Sequence, residues 1–558
     1  MLLSNYSKML KKILFNYLKI ILVFALFGCE DFYNFEAKKL DKKATELIEK
    51  SKLESNTNQK IIILQDALEK FQKIQKRYPR TKIARNHRKT NKINDLNKKV
   101  GDLRILFSKE MLQEKKNENV NNINKNIDLA NVEFKNDRKL ESSLRLLDAA
   151  EHSISQIGDT RTKSRLSNEI GRLRVALNDK DNAFKNLLKS EKYIEKMYTD
   201  LPKKIKNLSE VYRLLHLLNK KDKKKEIEEK IYLTIKNDIK NDDNKAVAYI
   251  EIAKINLLIN DIDKVTNDLN KAVKLAEKSN TYLDMAKIFY KINNDKQLNF
   301  FLKKAKNAAK SKDQIFWIIR DFINISAFEY SISLNDQSYK TLLVAKEYFP
   351  SNPDERLVLE LVDAFTRIER IEDAEKLISL IKPKYEKSMA YAFIGRQLGK
   401  TKEIKKMNFY LDKAIDVAPD LTVGNYEFQG LPGFSTKGRI FAEVAKTHAI
   451  VGNFETSHKL LSLIESDRFY KEGISDVIVI QSKIDKIGSR KLALNILNLG
   501  GKIVDNKLLG KIAYSQAISE DVENALITVK KMNMGFDLSQ TLINIANQII
   551  LQQADPLT

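Results

Sequence analysis

The feature that most constrains this chain is a pattern of large and small residues that recurs at a fixed spacing. Tyr249 and Ala253 stand four residues apart, and Tyr282 and Ala286 repeat that pair 33 residues later. The apolar residues that follow keep the same offsets in both copies: Val265, Leu269 and Ala272 in the first, and Leu298, Leu302 and Ala305 in the second. Positions three, four and seven apart share one face of an α-helix, so each copy predicts two amphipathic helices. Because one helix hairpin leaves a second apolar face uncovered, several copies must stack to bury it.

Further copies continue through the C-terminal half of the sequence, with small residues at Ser326, Gly395 and Ala445 in the place of Ala253. A period near 34 with this distribution of large and small residues resembles the tetratricopeptide (TPR) repeat. The resemblance implies an all-α fold, a TPR-like α-solenoid in which antiparallel helix hairpins form a right-handed superhelix. It also implies that the first helices line the inner surface. The last helix, around Leu542, has no helix after it and is predicted to cap the array.

The clarity of the repeat divides the chain into regions. Residues 246–558 form the predicted TPR-like array, with a loop insert at 420–438 and the capping helix at its end. Residues 136–245 predict degenerate helical repeats. Residues 29–135 predict a basic, anchor-proximal helical region with one TPR-like hairpin. Residues 1–28 form a predicted signal peptide.

The signal prediction rests on charge and hydropathy. Basic residues without an acidic one precede the apolar run 20–27, which is too short to cross a bilayer core of about 30 Å. The single cysteine, Cys29, follows Leu26, Phe27 and Gly28, an order that resembles the lipidation box of bacterial lipoproteins, and the Lys-, Asn- and Ile-rich composition resembles spirochaetes. The resemblance implies that Cys29 is acylated, for example with palmitate, and begins the mature chain. The alternative is an uncleaved hydrophobic tip with a chance cysteine.

Positive charge is concentrated near this predicted anchor. The chain carries 99 Lys+Arg against 74 Asp+Glu, a net charge of +25, and residues 70–99 hold twelve basic residues and one acidic residue. Seven of them are predicted to contact anionic lipid headgroups: Lys76, Arg77, Arg80, Lys82, Arg85, Arg88 and Lys89. Nucleic acid is the other usual ligand of such charge, but an exported chain rarely meets it, so we predict no nucleic-acid partner. A solvated helix face is the simplest alternative.

Motifs for catalysis or metal binding are not found in the sequence. One cysteine excludes a CxxC site, and five widely spaced histidines do not predict a metal centre. Gly395 and Gly399 precede Lys400 and Thr401, but a P-loop needs four residues between its glycines and here there are three. These glycines fall inside a predicted first helix and are interpreted as packing positions. We therefore predict no catalytic residue, no metal and no cofactor.

Two features predict partner binding. The first is a row on the predicted inner surface that combines cations and aromatic residues: Lys254, Lys287, Tyr290, Tyr330, Arg396, Lys446 and Tyr514. Such a groove suits an extended acidic peptide or a C-terminal carboxylate, and a solvated lysine-rich face is the alternative. The second is the 420–438 insert with Tyr426, Phe428 and Phe434, because long loops in tight arrays are often binding loops. Its alternative is packing over the neighbouring hairpin.

Together these features predict a membrane-anchored lipoprotein that acts as a protein–protein interaction scaffold in the cell envelope. Its predicted partner is another envelope protein or peptide. The lipoprotein itself is predicted to face the periplasm. Two alternatives stay open at this point. One is a surface-exposed lipoprotein that contacts host molecules. The other is a non-catalytic accessory of a cell-wall enzyme, or a hydrolase that itself acts on the cell wall.

Overall fold

The structure is a computed structural model that describes residues 29–197, 200–350, 353–382, 384–418, 436–499 and 504–554. Over these ranges the chain forms 26 α-helices and no β-strand, which confirms the predicted all-α fold. The helices are α1 Cys29–Leu53, α2 Thr57–Arg77, α3 Lys82–Lys89, α4 Lys92–Lys135, α5 Lys139–Ile154, α6 Thr160–Ala176, α7 Lys180–Glu195, α8 Leu201–Leu217, α9 Lys221–Asn237, α10 Asp242–Leu258, α11 Ile262–Val273, α12 Ser279–Lys291, α13 Asp295–Lys310, α14 Ile315–Ser331, α15 Asn335–Glu347, α16 Glu355–Arg367, α17 Ile371–Ile378, α18 Lys384–Lys400, α19 Ile404–Val417, α20 Thr436–Ile450, α21 Phe454–Ser462, α22 Asp467–Ile484, α23 Lys486–Leu499, α24 Asn506–Ile518, α25 Val522–Val529 and α26 Phe536–Ala554.

The chain divides into two compact units, residues 1–119 and residues 120–558, and the boundary falls inside the long helix α4. In the first unit α1 packs along α2, and α3 packs against both. The predicted hairpin residues Ala67, Phe71 and Ile74 lie on the buried face of α2, where they form the core of this unit with residues of α1, α3 and α4.

Helices of the second unit alternate between two roles. Each even-numbered helix from α6 to α26, called a first helix below, packs against the next even-numbered helix. Each odd-numbered helix from α5 to α25, called a second helix, packs mainly against first helices. Because the first helices are the ones in mutual contact, they lie on the inner side of the array. The second unit is therefore a solenoid of antiparallel helix hairpins, as the repeat predicts.

The array of the second unit closes on itself. Helix α26 packs against α6, so that the eleven first helices form a continuous circuit, and α26 also pairs closely with α5. The Ser143 hydroxyl of α5 donates to the Ala546 carbonyl of α26 at 3.4 Å, and the Ser153 hydroxyl lies 3.1 Å from both the backbone N and the carbonyl of Gly535. A shared core includes Leu147 and Leu542, both fully buried.

This closure corrects the prediction of a capping helix without a partner. The packing of α26 on α5 gives it the partner that a first helix needs, and that partner lies about 400 residues earlier in the sequence. Ion pairs between Lys135 and Glu523 (2.6 Å) and between Lys530 and Asp128 add polar contacts around the same junction. An apolar face that the sequence leaves without a neighbour is thus buried by the other end of the unit.

Small residues and turn residues set the spacing of the hairpins. A Cβ added to Gly395 in α18 would lie 2.5 Å from a Leu411 methyl of α19, so the two helices approach closely only because this residue is glycine. That contact confirms the packing interpretation of the glycine pair in this helix. Turns that follow first helices place asparagine at positive φ, as at Asn260 and Asn293, because its short polar side chain tolerates the left-handed region.

Candidate partner-binding surface

The predicted inner row lies on first helices, but its cations are paired with acidic residues. The Lys254 ammonium on α10 lies 2.8 Å from Glu251 on the same helix and 3.0 Å from Asp284 on α12. Lys287 on α12 pairs with the same Asp284 at 2.9 Å. The repeat pattern predicts the cations but not these carboxylates, of which Asp284 reaches Lys254 from the neighbouring first helix.

The pairing continues further along the circuit. Arg396 on α18 bridges two neighbours, since its guanidinium lies 3.1 Å from Asp363 on α16 and 2.6 Å from Glu443 on α20. Lys446 on α20 pairs with Asp476 on α22 at 2.8 Å. The four cations of the predicted row are therefore compensated, and this part of the surface is a wall of alternating charges rather than a basic groove. One signal was available, because Asp476 follows Lys446 at the same 30-residue offset that separates Asp284 from Lys254.

The ion pairs hold both partners in their charged forms. Burial on its own would lower the pKa of Lys254, but the charges of Asp284 and Glu251 outweigh it and raise that pKa. Burial would likewise raise the pKa of Asp284, but Lys254 and Lys287 outweigh it and lower that pKa. Both shifts favour ionised side chains at neutral pH. The wall is thus built from fixed charges that already have partners.

The aromatic residues of the predicted row lie on the same helices. Tyr290 is exposed at the end of α12, and its ring meets the edge of Phe328 at 6.2 Å between centroids. Tyr330 on α14 is half-buried, and burial together with the charge of Glu369 raises its pKa. Tyr514 on α24 is also half-buried. The structure therefore spreads these residues around the circuit and does not gather them into one pocket.

A depression on the first helices is a hollow of about 400 Å³ formed by α6, α8 and α10. Its lining is polar and charged: Arg165, Asn168, Glu169, Arg172, Lys206, Asn207, Glu210, Glu251 and Ile255. We call it the α6–α8–α10 hollow. None of these residues was predicted as a site; seven of the nine lie before residue 246, where the repeat register is weaker.

The carboxylates of this hollow already have partners. Glu169 accepts a hydrogen bond from the Gln540 amide of α26 at 3.3 Å, and Glu210 pairs with Arg213 at 2.6 Å. By contrast, Arg172 and Lys206 are exposed, and no carboxylate of the described residues lies within ion-pair distance of either. The hollow therefore presents two uncompensated positive charges on adjacent first helices.

The floor of the hollow adds a polar group. Asn168 is almost fully buried, and its amide nitrogen donates to the Asn207 carbonyl at 3.2 Å, whereas its side-chain oxygen has no hydrogen-bond partner. Arg165 at the rim donates to the Gln540 side chain at 2.9 Å. Two contacts to Gln540 thus connect this hollow to the closing helix α26, so its geometry depends on the closure.

A second depression of about 510 Å³ lies between α12, α14 and α16. It contains the single tryptophan, Trp317, which is 47% exposed. Its cations are paired with carboxylates. The Arg320 guanidinium donates two hydrogen bonds to Glu360, at 2.7 and 2.8 Å, and Arg367 forms an ion pair with Asp363. This depression is a mixed aromatic and charged surface whose two arginines are paired with carboxylates.

The remaining predicted residues divide into two groups. Residues 1–28 and the loop residues Tyr426, Phe428 and Phe434 lie outside the described residues. The seven cations of residues 76–89 are described, and all are exposed on the first unit. Among the described residues, no group of three or more His, Cys, Asp or Glu side chains is placed to hold a metal ion, and no helix has both the length and the apolar character to span a bilayer.

Comparison with known proteins gives solved structures of low similarity to this chain. Neither a protein-family model nor a curated protein sequence matches the chain. Yeast Tom70 is 14% identical, with 87% of this chain and 96% of that chain covered, at a TM-score of 0.30. Ton1535 from Thermococcus onnurineus NA1 is 13% identical, with 64% and 98% covered, at 0.23. A circular tandem repeat protein with novel repeat topology is 10% identical, with 94% and 100% covered, at 0.15. The fold of this chain is therefore defined by its own helix contacts.

Proposed function

We propose that this protein is a membrane-anchored lipoprotein that acts as a non-catalytic protein–protein interaction scaffold in the cell envelope. Cys29 carries the lipid anchor and the first helices of the second unit bind the partner. The observation that carries the binding proposal is the α6–α8–α10 hollow, where Arg172 and Lys206 have no carboxylate partner. Fixed, uncompensated charge on a concave surface selects a partner of opposite charge.

The partner is a protein segment rich in Asp or Glu. Charge-assisted hydrogen bonds to Arg and Lys are stronger and more directional than neutral ones, and the segment lies across α6, α8 and α10. Acidic segments are disfavoured at the predicted row, because Lys254, Arg396 and Lys446 already bind carboxylates there. The partner is therefore restricted to one sector of the circuit.

Site-specific photocrosslinking in intact cells tests this proposal. A photoreactive residue in place of Asn207 should capture one envelope protein, and a peptide with the acidic segment of that protein should bind the purified chain. The double variant Arg172→Glu/Lys206→Glu should abolish binding of the peptide. Lys221→Glu/Lys225→Glu on the second helix α9 changes the charge equally and should leave binding intact. Equal loss in both variants, or capture of proteins without acidic segments, contradicts the proposal.

The anchor is tested separately. Metabolic labelling with a palmitate analogue should mark the wild-type chain, and Cys29→Ser should lose the label. Protease treatment of intact cells then separates the periplasm-facing scaffold from a surface lipoprotein, because only a surface-exposed chain would be digested. An unlabelled chain overturns the lipid anchor and leaves the peptide-binding result to be judged independently.

A further inference from the structure

The start of α1 and the turn between α2 and α3 lie side by side in the first unit. The Tyr33 ring of α1 packs against the Tyr78 ring at 5.9 Å between centroids, and the Asn34 side-chain oxygen accepts from the Lys82 backbone N–H at 3.3 Å. Cys29 begins α1 five residues before Asn34, about 7.5 Å along a helix with a rise of about 1.5 Å per residue. The end of α1 that carries Cys29 therefore lies beside the beginning of α3.

Helix α3 turns its cations to solvent. Ala84 and His87 are its buried residues, whereas Lys82, Arg85 and Lys89 are exposed and, at spacings of three and four, share the opposite face. We call these three residues the α3 basic face. Lys76, Arg77 and Arg80 extend it toward α2, and all three are exposed.

Contacts of His87 fix the rotation of α3. The buried ring nitrogen Nε2 lies 2.7 Å from the Asp41 carboxylate of α1, and the ring meets the edge of Phe71 of α2 at 4.7 Å between centroids. Arg88 has a structural role as well, because its guanidinium donates to the Gln75 side chain and to the Pro79 carbonyl, each at 2.8 Å. These contacts fix the orientation of helix α3, and therefore the side of the unit from which the α3 basic face projects.

The charge of this face has no internal counterpart. Within the described part of the chain, none of its three cations lies within ion-pair distance of a carboxylate; the nearby Asp41 is taken by His87 and by Lys92 at 3.4 Å. The cations of the second unit behave differently, since most of those on its inner wall are paired. Clustered and unpaired charge on a rigid face attracts a polyanion.

Exposed aromatic residues stand at the same end of the unit. Phe35 is 64% exposed and Tyr33 is 47% exposed, both in the second turn of α1. Aromatic rings are favoured at the boundary between lipid headgroups and acyl chains, whereas a nucleic-acid surface would favour rings interleaved with the cations themselves. This arrangement distinguishes a membrane from a nucleic acid.

We propose that the first unit docks on an anionic phospholipid membrane, with the α3 basic face on the headgroups and Phe35 and Tyr33 at the interface. The proposal deepens the proposed function, since it rests on a membrane address for the chain. A lipid on Cys29 and the α3 basic face would then engage the same membrane, and two weak contacts on one surface reinforce each other. Docking would fix the orientation of the first unit at the membrane.

Vesicle co-sedimentation tests the docking face without the lipid. The chain from residue 29 with Cys29→Ser keeps every described residue apart from this exchange. It should bind vesicles containing phosphatidylglycerol and release them as salt is raised. Its affinity for vesicles of phosphatidylcholine alone should be lower by a factor of about ten or more. Lys82→Glu/Arg85→Glu/Lys89→Glu should reduce binding to the anionic vesicles to the level of the neutral ones. Phe35→Ala should cause a smaller loss of binding, and the ratio of wild-type to variant affinity should change little as salt is raised.

A matched control keeps the test specific. Lys180→Glu/Lys221→Glu/Lys225→Glu changes the net charge equally on exposed lysines of the second unit and should leave vesicle binding unchanged. Unchanged helical circular dichroism in both triple variants shows that loss of binding is not loss of fold. Equal loss in the control, binding to neutral vesicles as strong as to anionic ones, or tighter binding to single-stranded RNA than to anionic vesicles would overturn the docking face. None of these results bears on peptide binding at the α6–α8–α10 hollow.

Discussion

Closure of the second unit predicts that a change in its last helix destabilises its first helices. Leu542 of α26 is fully buried in the core that it shares with α5 and α6. Truncation of such a leucine to alanine removes three carbons and leaves a cavity, at a cost of about 3 kcal/mol. In an open repeat array, stability is a sum over neighbouring repeats, and the two ends open independently. In a closed array, the same change weakens a junction to which both ends belong.

Hydrogen exchange measures this coupling. In Leu542→Ala, backbone amides of α26 and also of α5 should exchange roughly 100-fold faster, because about 1.4 kcal/mol corresponds to a factor of ten. Amides of α16, which lies five first helices from the junction in either direction, should change little. The expected pattern therefore links helices that are separated by almost 400 residues in sequence.

A matched leucine supplies the control. Leu361 of α16 is also fully buried, and Leu361→Ala should speed exchange in α14–α18 without affecting α5 or α26. The reasoning about closure would be refuted if Leu542→Ala accelerated exchange in α24–α26 while α5 kept wild-type protection. It would be refuted equally if both variants affected α5 to the same extent.

Three further changes test the packing and the buried charges. Arg174→Met leaves three carboxylates without their shared buried cation. Chemical denaturation should show that the free energy of unfolding falls by about 3 kcal/mol, the lower end of the range for a broken buried ion pair, because the carboxylates are partly exposed. The pKa of Asp243 is lowered, because hydrogen bonds from Lys278 and two backbone N–H groups outweigh the effect of burial, which on its own would raise it. Its ionised form therefore stabilises the fold above about pH 4, and the stability difference between wild type and Asp243→Asn should shrink as pH falls through the lowered pKa. Gly395→Ala places a Cβ 2.5 Å from Leu411 and should lower thermal stability by about 1–3 kcal/mol, whereas an equal or higher melting temperature would contradict the close approach.

The fold was predictable because its determinants are local. Tyr249, Ala253 and Ala272 lie in one hairpin, and their spacing alone specifies two helices and a close contact between them. Gly395 was recognised as a packing residue for the same reason. The prediction of a cap at Leu542 was wrong because closure depends on how a small rotation per repeat accumulates over eleven hairpins. No single repeat contains that information.

The candidate surface was less predictable, for a different physical reason. Lys254 and Arg396 occupy the same position in different repeats, and such a recurring position predicts a shared face but not the side chains that lie opposite it. Ion pairs form between neighbouring helices at offsets that vary, as with Arg396 and Glu443, 47 residues apart. The charge of the wall is therefore a property of pairs. Arg172 and Lys206 differ from the cations of the predicted row because no described carboxylate lies within ion-pair distance of them. The sequence cannot show this, because it does not specify which side chains lie opposite each other.

Closure also explains how this array avoids the usual problem of a solenoid. An open stack of hairpins ends in two apolar faces, each of which needs a polar cap to stay soluble. Here the apolar faces of α26 and α5, which an open array would leave exposed, pack against each other and bury Leu542 and Leu147 in one core. The junction therefore replaces two caps, and it brings Gln540 into contact with Arg165 and Glu169. Because those contacts orient the rim of the α6–α8–α10 hollow, a variant that opens the junction should lose binding of the acidic segment even when Arg172 and Lys206 are intact. Leu542→Ala combined with the peptide-binding measurement tests this, and wild-type affinity in a variant with an open junction would separate the hollow from the closure.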